Sequence, residues 1–238
     1  KEGWTQRNPL NVQSVGMSLR PELKLDWATH KAAKYACETW HYSGSVPAGA
    51  SIKVGVWENG SFIGVVLFGA GSGNSTNGTK YGLNRSHDIA ELTRIALTSH
   101  KTAVSRIMSI ALKFLKKQSP KIRMVISFAD PKQGHIGGIY QAGGWIFTGV
   151  SASDYEYNVD GRWLHHRTAS AICSLKGKTK RPIPSKYRYL MPLDKAMKEQ
   201  IKPLAKPYPK REKQAMDTFQ VSQRRGSTDL HAPPISPI

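Results

Sequence analysis

Residues 89–129 read IAELTRIALTSHKTAVSRIMSIALKFLKKQSPKIRMVISFA. Three patterns follow one another in this stretch. Residues 89–98 are strand-like, with Arg94 interrupting an apolar run; simple alternation puts Leu92, Arg94 and Ala96 on one face. Residues 104–117 repeat apolar positions at helical spacing, so Val104, Ile107, Met108, Ala111 and Leu115 form one face. Residues 124–129 are an apolar run of strand length, the signature of a strand buried on both faces. Strand, helix, strand in this order predicts a βαβ unit.

Upstream lie two more strand-like runs, 52–57 and 62–68. Glu58-Asn59-Gly60-Ser61 joins them, and Asn-Gly between apolar runs is a strong hairpin signal. Residues 69–88 are rich in Gly, Ser and Asn and are expected to be loop. Asp26 is expected to cap a helix over 27–40, with Ala28, Ala32, Tyr35, Ala36 and Thr39 on one face. Downstream, a short helix near 135–142 ends at Gly143-Gly144, and 145–150 and 167–172 read as strands. The expected fold class is α/β in the broad sense (α+β): a mixed, mostly antiparallel sheet flanked by helices. This order of elements matches the GCN5-related N-acetyltransferase fold. The chain divides into an N-terminal segment (1–25), a body (26–192) and a C-terminal arm (193–238). Lys202-Pro203, Lys206-Pro207, Pro209-Lys210-Arg211, Arg224-Arg225 and Pro233-Pro234 mark the arm. Prolines and mutually repelling charges predict that it packs weakly.

Of the 238 residues, 39% are hydrophobic and 9% aromatic. That suffices for a core and excludes full-length disorder and collagen-like repeats. No apolar run reaches the ~18–20 residues of a membrane span. Lys1-Glu2-Gly3-Trp4 lacks a signal-peptide apolar region, so a cytoplasmic protein is expected. Cys37 and Cys173 cannot make a disulfide framework or a four-cysteine zinc site. The net charge is +19, from 35 Lys+Arg against 16 Asp+Glu, with pI ≈ 10.0. Residues 176–238 hold 15 of the basic and 5 of the acidic residues, so body and tail are both basic. A polyanionic partner, nucleic acid above all, is the expectation.

Seven segments together carry a family pattern. They are Cys37-Glu38-Thr39-Trp40-His41-Tyr42-Ser43, Gly55-Val56-Trp57-Glu58, residues 62–69, Glu91-Leu92-Thr93-Arg94-Ile95-Ala96-Leu97, Val104-Ser105-Arg106-Ile107, Ser127-Phe128-Ala129-Asp130-Pro131 and residues 133–145. This set, spanning roughly residues 25–190, resembles the phage Mom family, an outlying branch of the acetyltransferase-like fold. The resemblance implies a DNA-modification transferase of the host cytoplasm. Its implied reaction converts adenine in duplex DNA to N6-(carbamoylmethyl)adenine and shields phage DNA from restriction. The competing classes are a conventional acyl-CoA N-acetyltransferase and a non-catalytic DNA-binding protein.

Asp130-Pro131 closes a buried run. A carboxylate at a strand's C-terminal edge can face a ligand crevice and accept from an exocyclic amine, or it can simply start a turn. The resemblance gives Tyr140 the role of protonating a leaving group; packing beneath its helix is the alternative. Arg94 suits bidentate binding of a phosphate or carbonyl, or an ion pair with Glu91 or Asp88. Ser105, near a helix N-terminus, suits a donor carbonyl or phosphate, or capping. His41 is a candidate base or substrate contact, a helix cap, or a metal ligand. The resemblance makes it the candidate for the iron thought to occur in some relatives, though no metal-ligand spacing accompanies it. Reaching the adenine amine means extruding the base, which makes Trp40, Tyr42, Trp57 and Trp145 stacking candidates, most of them core.

Acetyl-coenzyme A enzymes of this fold usually place Gln/Arg-x-x-Gly-x-Gly/Ala before the third helix, its glycines cradling pyrophosphate. Here Ser99-His100-Lys101-Thr102-Ala103-Val104-Ser105-Arg106 has neither glycine, although Lys101 and Arg106 can still meet phosphates. The implied product bears a CH2 on N6, where acetyl transfer leaves a carbonyl. A glycyl group placed on N6 resolves this: its free amine attacks C6 through a five-membered ring and expels the amide nitrogen. Glycyl-tRNA is then a donor candidate beside acetyl-coenzyme A, and duplex DNA and tRNA are the expected partners.

Overall fold

The computed structural model describes residues 20–70, 78–83 and 88–210. Residues 1–19, most of the 69–88 loop and residues 211–238 of the arm lie outside the described residues. Ten strands and five helices follow in chain order among those described: β1 (Leu23–Trp27), α1 (His30–Trp40), β2 (Ala50–Glu58), β3 (Ser61–Gly69), β4 (Ile89–Leu97), α2 (Val104–Gln118), β5 (Met124–Ala129), α3 (Gly138–Ala142), β6 (Ile146–Val150), β7 (Asp154–Val159), β8 (Arg162–His165), α4 (His166–Ile172), β9 (Lys180–Ile183), β10 (Tyr187–Pro192) and α5 (Lys195–Ile201). The fold is mixed α and β. A seven-stranded sheet has the order β1-β2-β3-β4-β5-β10-β6, and a three-stranded sheet the order β8-β7-β9. Among the described strands, β4 and β5 alone pair in parallel. They are the two strands of the expected βαβ unit.

The large sheet is covered on both faces. Ile107, Met108, Ala111, Leu112 and Leu115 of α2 pack with Val66, Phe68, Leu92, Val125 and Tyr189 on one face. On the other, Ala33, Ala36 and Cys37 of α1 meet Val65, Leu67 and Ala96, and Met197 and Ile201 of α5 meet Ile89, Met124, Ile126 and Leu190. The hairpin forms as read: Asn59 (φ 49°) and Gly60 (φ 78°) both take the left-handed turn that an Asn-Gly pair tolerates.

Four readings change. Helix α1 starts at His30 and not near 27, because Leu23–Trp27 first adds an edge strand to β2. Thr29 caps it, its Oγ1 accepting from the Ala32 N–H at 3.1 Å; Asp26 stays in the strand. Residues 167–172 are helix, since only Ala169 has a surface to pack against and no alternating face is buried. Strand β10 inserts between β5 and β6, a long-range pairing that local pattern does not reveal. The arm is packed through its first part: Asp194 caps α5 by accepting from the Met197 N–H at 2.7 Å, and Met197 and Ile201 are fully buried. Beyond them, Tyr208 donates to the Trp145 carbonyl at 2.7 Å.

Candidate functional site

The site grows out of a failure of pairing. Strands β4 and β5 share three residue pairs, Ile89↔Met124, Ala90↔Val125 and Glu91↔Ile126, and then part. A bulge accompanies the split: Leu67 pairs with Arg94 but Phe68 with Leu92, leaving Thr93 extra. The Thr93 hydroxyl donates to the Leu67 carbonyl at 3.1 Å. The extra residue reverses the alternation. Leu92 therefore joins the α2 face and Ala96 the α1 face. This corrects the expectation that Leu92, Arg94 and Ala96 share one side: Arg94 goes with Ala96, toward α1.

The gap opens a cavity of about 1200 Å3, lined by His41, Tyr42, Arg94, His135 and Tyr140 among others. That lies above the ~300–1,000 Å3 of an ordinary small-molecule site. Its further wall comes from Ser151–Asp154, His165–Arg167 and Lys186–Arg188 positions of the smaller sheet and β10.

At the split, the Ser127 Oγ lies 2.9 Å from the Leu92 carbonyl and 2.8 Å from the Tyr140 hydroxyl. Ser127 has one hydroxyl proton, and a carbonyl can only accept. Ser127 therefore donates to Leu92, and Tyr140 donates to Ser127. Burial pushes the Tyr140 phenol up to about 12, which keeps it protonated. Gly137, at φ 84°, lets the chain enter α3; a Cβ there collides with the Tyr189 ring. Arg94 Nη1 donates to the Thr93 carbonyl at 2.8 Å, while its buried Nε finds no hydrogen-bond partner among the described residues.

His41 follows the last turn of α1. Its Nδ1 accepts from the Ser43 N–H at 3.1 Å, with the Ser43 hydroxyl at 2.8 Å. The ring proton then sits on Nε2. Burial, then the positive charge of Arg94 and then His135, lower its pKa to about 4. His41 is thus a neutral hydrogen-bond donor at neutral pH. The base and metal-ligand readings need a free lone pair that this tautomer does not present. The Tyr42 ring lies 4.2 Å from that of His41 and meets His135 edge-on. Burial first, then the charge of Asp130, raises the Tyr42 phenol.

Asp130 stands at the edge of this cavity, next to its wall residue Ala129. One oxygen accepts from the Lys132 N–H at 2.9 Å, starting a turn over Pro131–Gln133. The other pairs with Lys186 at 3.3 Å. Gripping an amine means displacing that lysine.

Ser105, Lys101 and Arg106 are not brought to the cavity wall. Ser105 is half-buried in the first turn of α2, and Lys101 and Arg106 are exposed. The loop before α2 is anchored instead by Glu58. Its carboxylate accepts from the Lys101 N–H at 2.9 Å, the Thr102 N–H at 2.7 Å and the Thr102 hydroxyl at 2.6 Å. Backbone N–H groups at the helix entrance are thereby taken by an internal anion. Of the four aromatic candidates, only Tyr42, 55% exposed, lines the cavity. Trp57 and Trp145 are buried in the core, which removes them as stacking platforms. Trp40 packs against Tyr35 and Phe62.

Asp154, His165 and His166 were not singled out from sequence. Asp154 Oδ2 lies 2.8 Å from His165 Nε2, and Oδ1 2.6 Å from His166 Nδ1. This is the one group of three potential metal ligands among the described residues, and it excludes His41. The signal was the Asp160-Gly161 turn, which closes the β7–β8 hairpin and brings 154 near 165. The three side chains pair with one another. Both Asp154 oxygens are engaged by ring nitrogens, and His165 Nδ1 accepts from the Arg167 N–H at 3.4 Å.

A mixed sheet that splits at the parallel pair of its described strands, with polar groups converging on a large cavity, is the build of a group-transfer enzyme. A model of the Mom protein family matches residues 22–210, and the chain belongs to that family. It is 30% identical over 216 residues to the methylcarbamoylase Mom of Escherichia phage Mu, covering 83% of this chain and 88% of that protein. Solved structures with weaker likeness include a Bacillus subtilis acetyltransferase in complex with CoA (TM-score 0.41, 12% identity, 73% of this chain and 99% of that one). A GNAT-family acetyltransferase from Streptococcus pneumoniae gives TM-score 0.40 at 12% identity, covering 73% of this chain and 100% of that one. Among the described residues, no helix is long and apolar enough to cross a membrane.

Proposed function

We propose that this protein is an acyltransferase-like enzyme that modifies adenine in duplex DNA, giving N6-(carbamoylmethyl)adenine and protecting phage DNA from restriction. The observation that carries the reading is the cavity at the β4–β5 split, where Arg94, His41, Tyr42 and Tyr140 converge. The name of the phage Mu relative supports the product, and the charge of +19 supports a nucleic-acid substrate. In this reading Tyr42 stacks on the extruded base. Arg94, with an unsatisfied Nε, holds the donor's carbonyl oxygen or phosphate. The His41 Nε2–H orients the substrate, and the Tyr140 phenol, turning its proton from Ser127 toward the cavity, protonates the leaving group.

The donor is an ester, glycyl-tRNA, in preference to acetyl-coenzyme A. Glu58 takes the Lys101 and Thr102 N–H groups just before α2, and its negative charge disfavours a pyrophosphate there. The glycyl amide formed on N6 then rearranges through its amine to the carbamoylmethyl product, with no atom gained or lost. These steps use this chain's own side chains; among the described residues the metal-capable group is Asp154, His165 and His166, without His41.

The test is to express the protein in bacteria, digest the DNA and weigh the nucleosides. Deoxyadenosine is expected to gain a carbamoylmethyl group, with carbon and nitrogen label delivered from glycine. Unmodified deoxyadenosine overturns the reading, and a modified base without glycine label overturns the donor.

A further inference from the structure

We propose that Asp154 and His166 form a carboxylate–imidazole pair in which His166 Nε2 is the general base of the transfer step. The inference rests on the acyl-transfer reading above. That reading assigns an acid, Tyr140, but leaves unassigned the group that removes the amine proton.

Two neighbouring histidines hold opposite oxygens of one carboxylate, and hydrogen-bond counting separates their roles. His165 accepts at Nδ1 from the Arg167 N–H and meets Asp154 Oδ2 through Nε2 at 2.8 Å. Both its nitrogens are used. His166 meets Asp154 Oδ1 through Nδ1 at 2.6 Å, and its Nε2 has no hydrogen bond among the described residues. An ionised carboxylate only accepts, so His166 carries its proton on Nδ1. The lone pair is left on Nε2. A carboxylate that fixes the tautomer and balances the imidazolium formed on proton uptake is the arrangement that makes histidine an effective base.

Asp154 stays ionised for this task. Burial pushes its pKa up, but the Tyr155 N–H and the two histidines outweigh that and leave it below the usual carboxylate range. Among the described residues, His166 alone of the cavity's histidines has one nitrogen on a carboxylate and the other unengaged. His41 presents Nε2–H, His165 is saturated and His135 has no carboxylate partner. Tyr140 is an acid, and both oxygens of Asp130 are engaged. The charged neighbours about the pair are Asp154, His165 and Arg167, with Lys186 on the same wall.

The step balances. The amine nitrogen attacks the acyl carbon and the C–N bond forms; the amine proton passes to His166 Nε2. As the bond from the acyl carbon to the ester oxygen breaks, that oxygen takes a proton from Tyr140, and the phenol is restored through the imidazolium or solvent. His166 is the base and Asp154 a positioning residue.

The experiment compares wild type with His166→Gln, His166→Ala, Asp154→Asn and His165→Gln by the modified fraction of deoxyadenosine in cellular DNA. His166→Gln and Asp154→Asn are expected to lose about 10²–10⁴-fold, and His165→Gln much less. Purified His166→Ala, given cell extract and duplex DNA, is expected to regain activity with added imidazole, which a purely structural role does not allow. Wild-type modification by His166→Gln, or failure of the rescue, overturns the proposal. So does a stoichiometric transition metal in the purified wild type that is lost in His166→Gln. An unmodified wild-type sample counts against the adenine reading alone. The pair is then read from imidazole nitrogen resonances of the labelled full chain: Nδ1–H at His166, disturbed in Asp154→Asn, is expected, and Nε2–H overturns it.

Discussion

The Tyr140 hydroxyl and the Ser127 Oγ lie 2.8 Å apart at the point where β4 and β5 separate, and Ser127 spends its own proton on the Leu92 carbonyl. A side chain thus replaces the missing ladder bond and holds the phenol at the rim of the opening. Ser127 and Tyr140 are both buried, so removing one leaves the other with few alternative partners.

Ser127→Ala therefore leaves a buried phenol without its acceptor and is expected to cost about 1–3 kcal/mol. Tyr140→Phe should cost a similar amount, while the double variant should cost clearly less than the two together, because neither partner is then left stranded. Urea unfolding of the four proteins measures this. Strict additivity would show that the two hydroxyls do not interact.

His41 predicts an acid-sensitive fold. Its folded pKa of about 4 lies below the ordinary 6.5. Between those values the unfolded chain binds a proton that the folded chain refuses, so stability falls as pH drops from about 6.5 toward 4 and is complete above. His41→Asn should flatten that part of the stability profile. Arg94→Gln should move the His41 titration upward, since the guanidinium charge is the second cause of the depression. NMR titration of the His41 ring reads both effects. An unshifted His41 in Arg94→Gln would place the guanidinium away from the ring.

Glu58 acts in the same direction at lower pH. Hydrogen bonds from Thr102 and Lys101 hold its carboxyl below the ordinary 4.5. Its contribution is present above that value and disappears as pH falls through the lowered pKa. Glu58→Gln keeps the shape, loses the charge, and should show a smaller drop in Tm between pH 5 and pH 3. With the wild type, calorimetry should detect no saturable binding of CoA at millimolar concentration. Tight binding would mean that the carboxylate does not block the helix entrance.

The parts of the fold legible in sequence were those set by local pattern. The 89–129 unit repeats its apolar residues at the periods of strand and helix, and Asn59-Gly60 demands its turn. Arg94 was legible as an interruption but not its direction, because a one-residue bulge at Thr93 reverses everything after it. The Asp154 cluster depends on a hairpin whose strands are half-exposed, with no clean alternation. Strand β10 reaches β5 across about 60 residues of chain and β6 across about 40, and nothing in Tyr187–Pro192 says which strands it joins. The first part of the arm was misread from composition, since its lysines and prolines surround two residues, Met197 and Ile201, that complete a core.

That core sets the last prediction, because it separates two truncations that composition treats alike. Ending the chain after residue 192 removes Met197 and Ile201, each fully buried, along with the ion pair of Arg123 and Asp194 at 2.9 Å. Truncating a buried Met or Ile costs about 2–5 kcal/mol, and losing both is comparable with the whole stability of a typical domain. This protein should not fold. Ending after residue 210 keeps α5 and the Tyr208 hydrogen bond to Trp145, so Tm should hold. The residues then removed still carry Arg211, Lys213, Arg224 and Arg225. Every phosphate that these side chains no longer neutralise lowers the salt dependence of DNA affinity by about one unit of slope. The 1–210 protein should therefore bind duplex DNA more weakly and with a shallower dependence on salt. An unchanged slope would assign phosphate binding to the body.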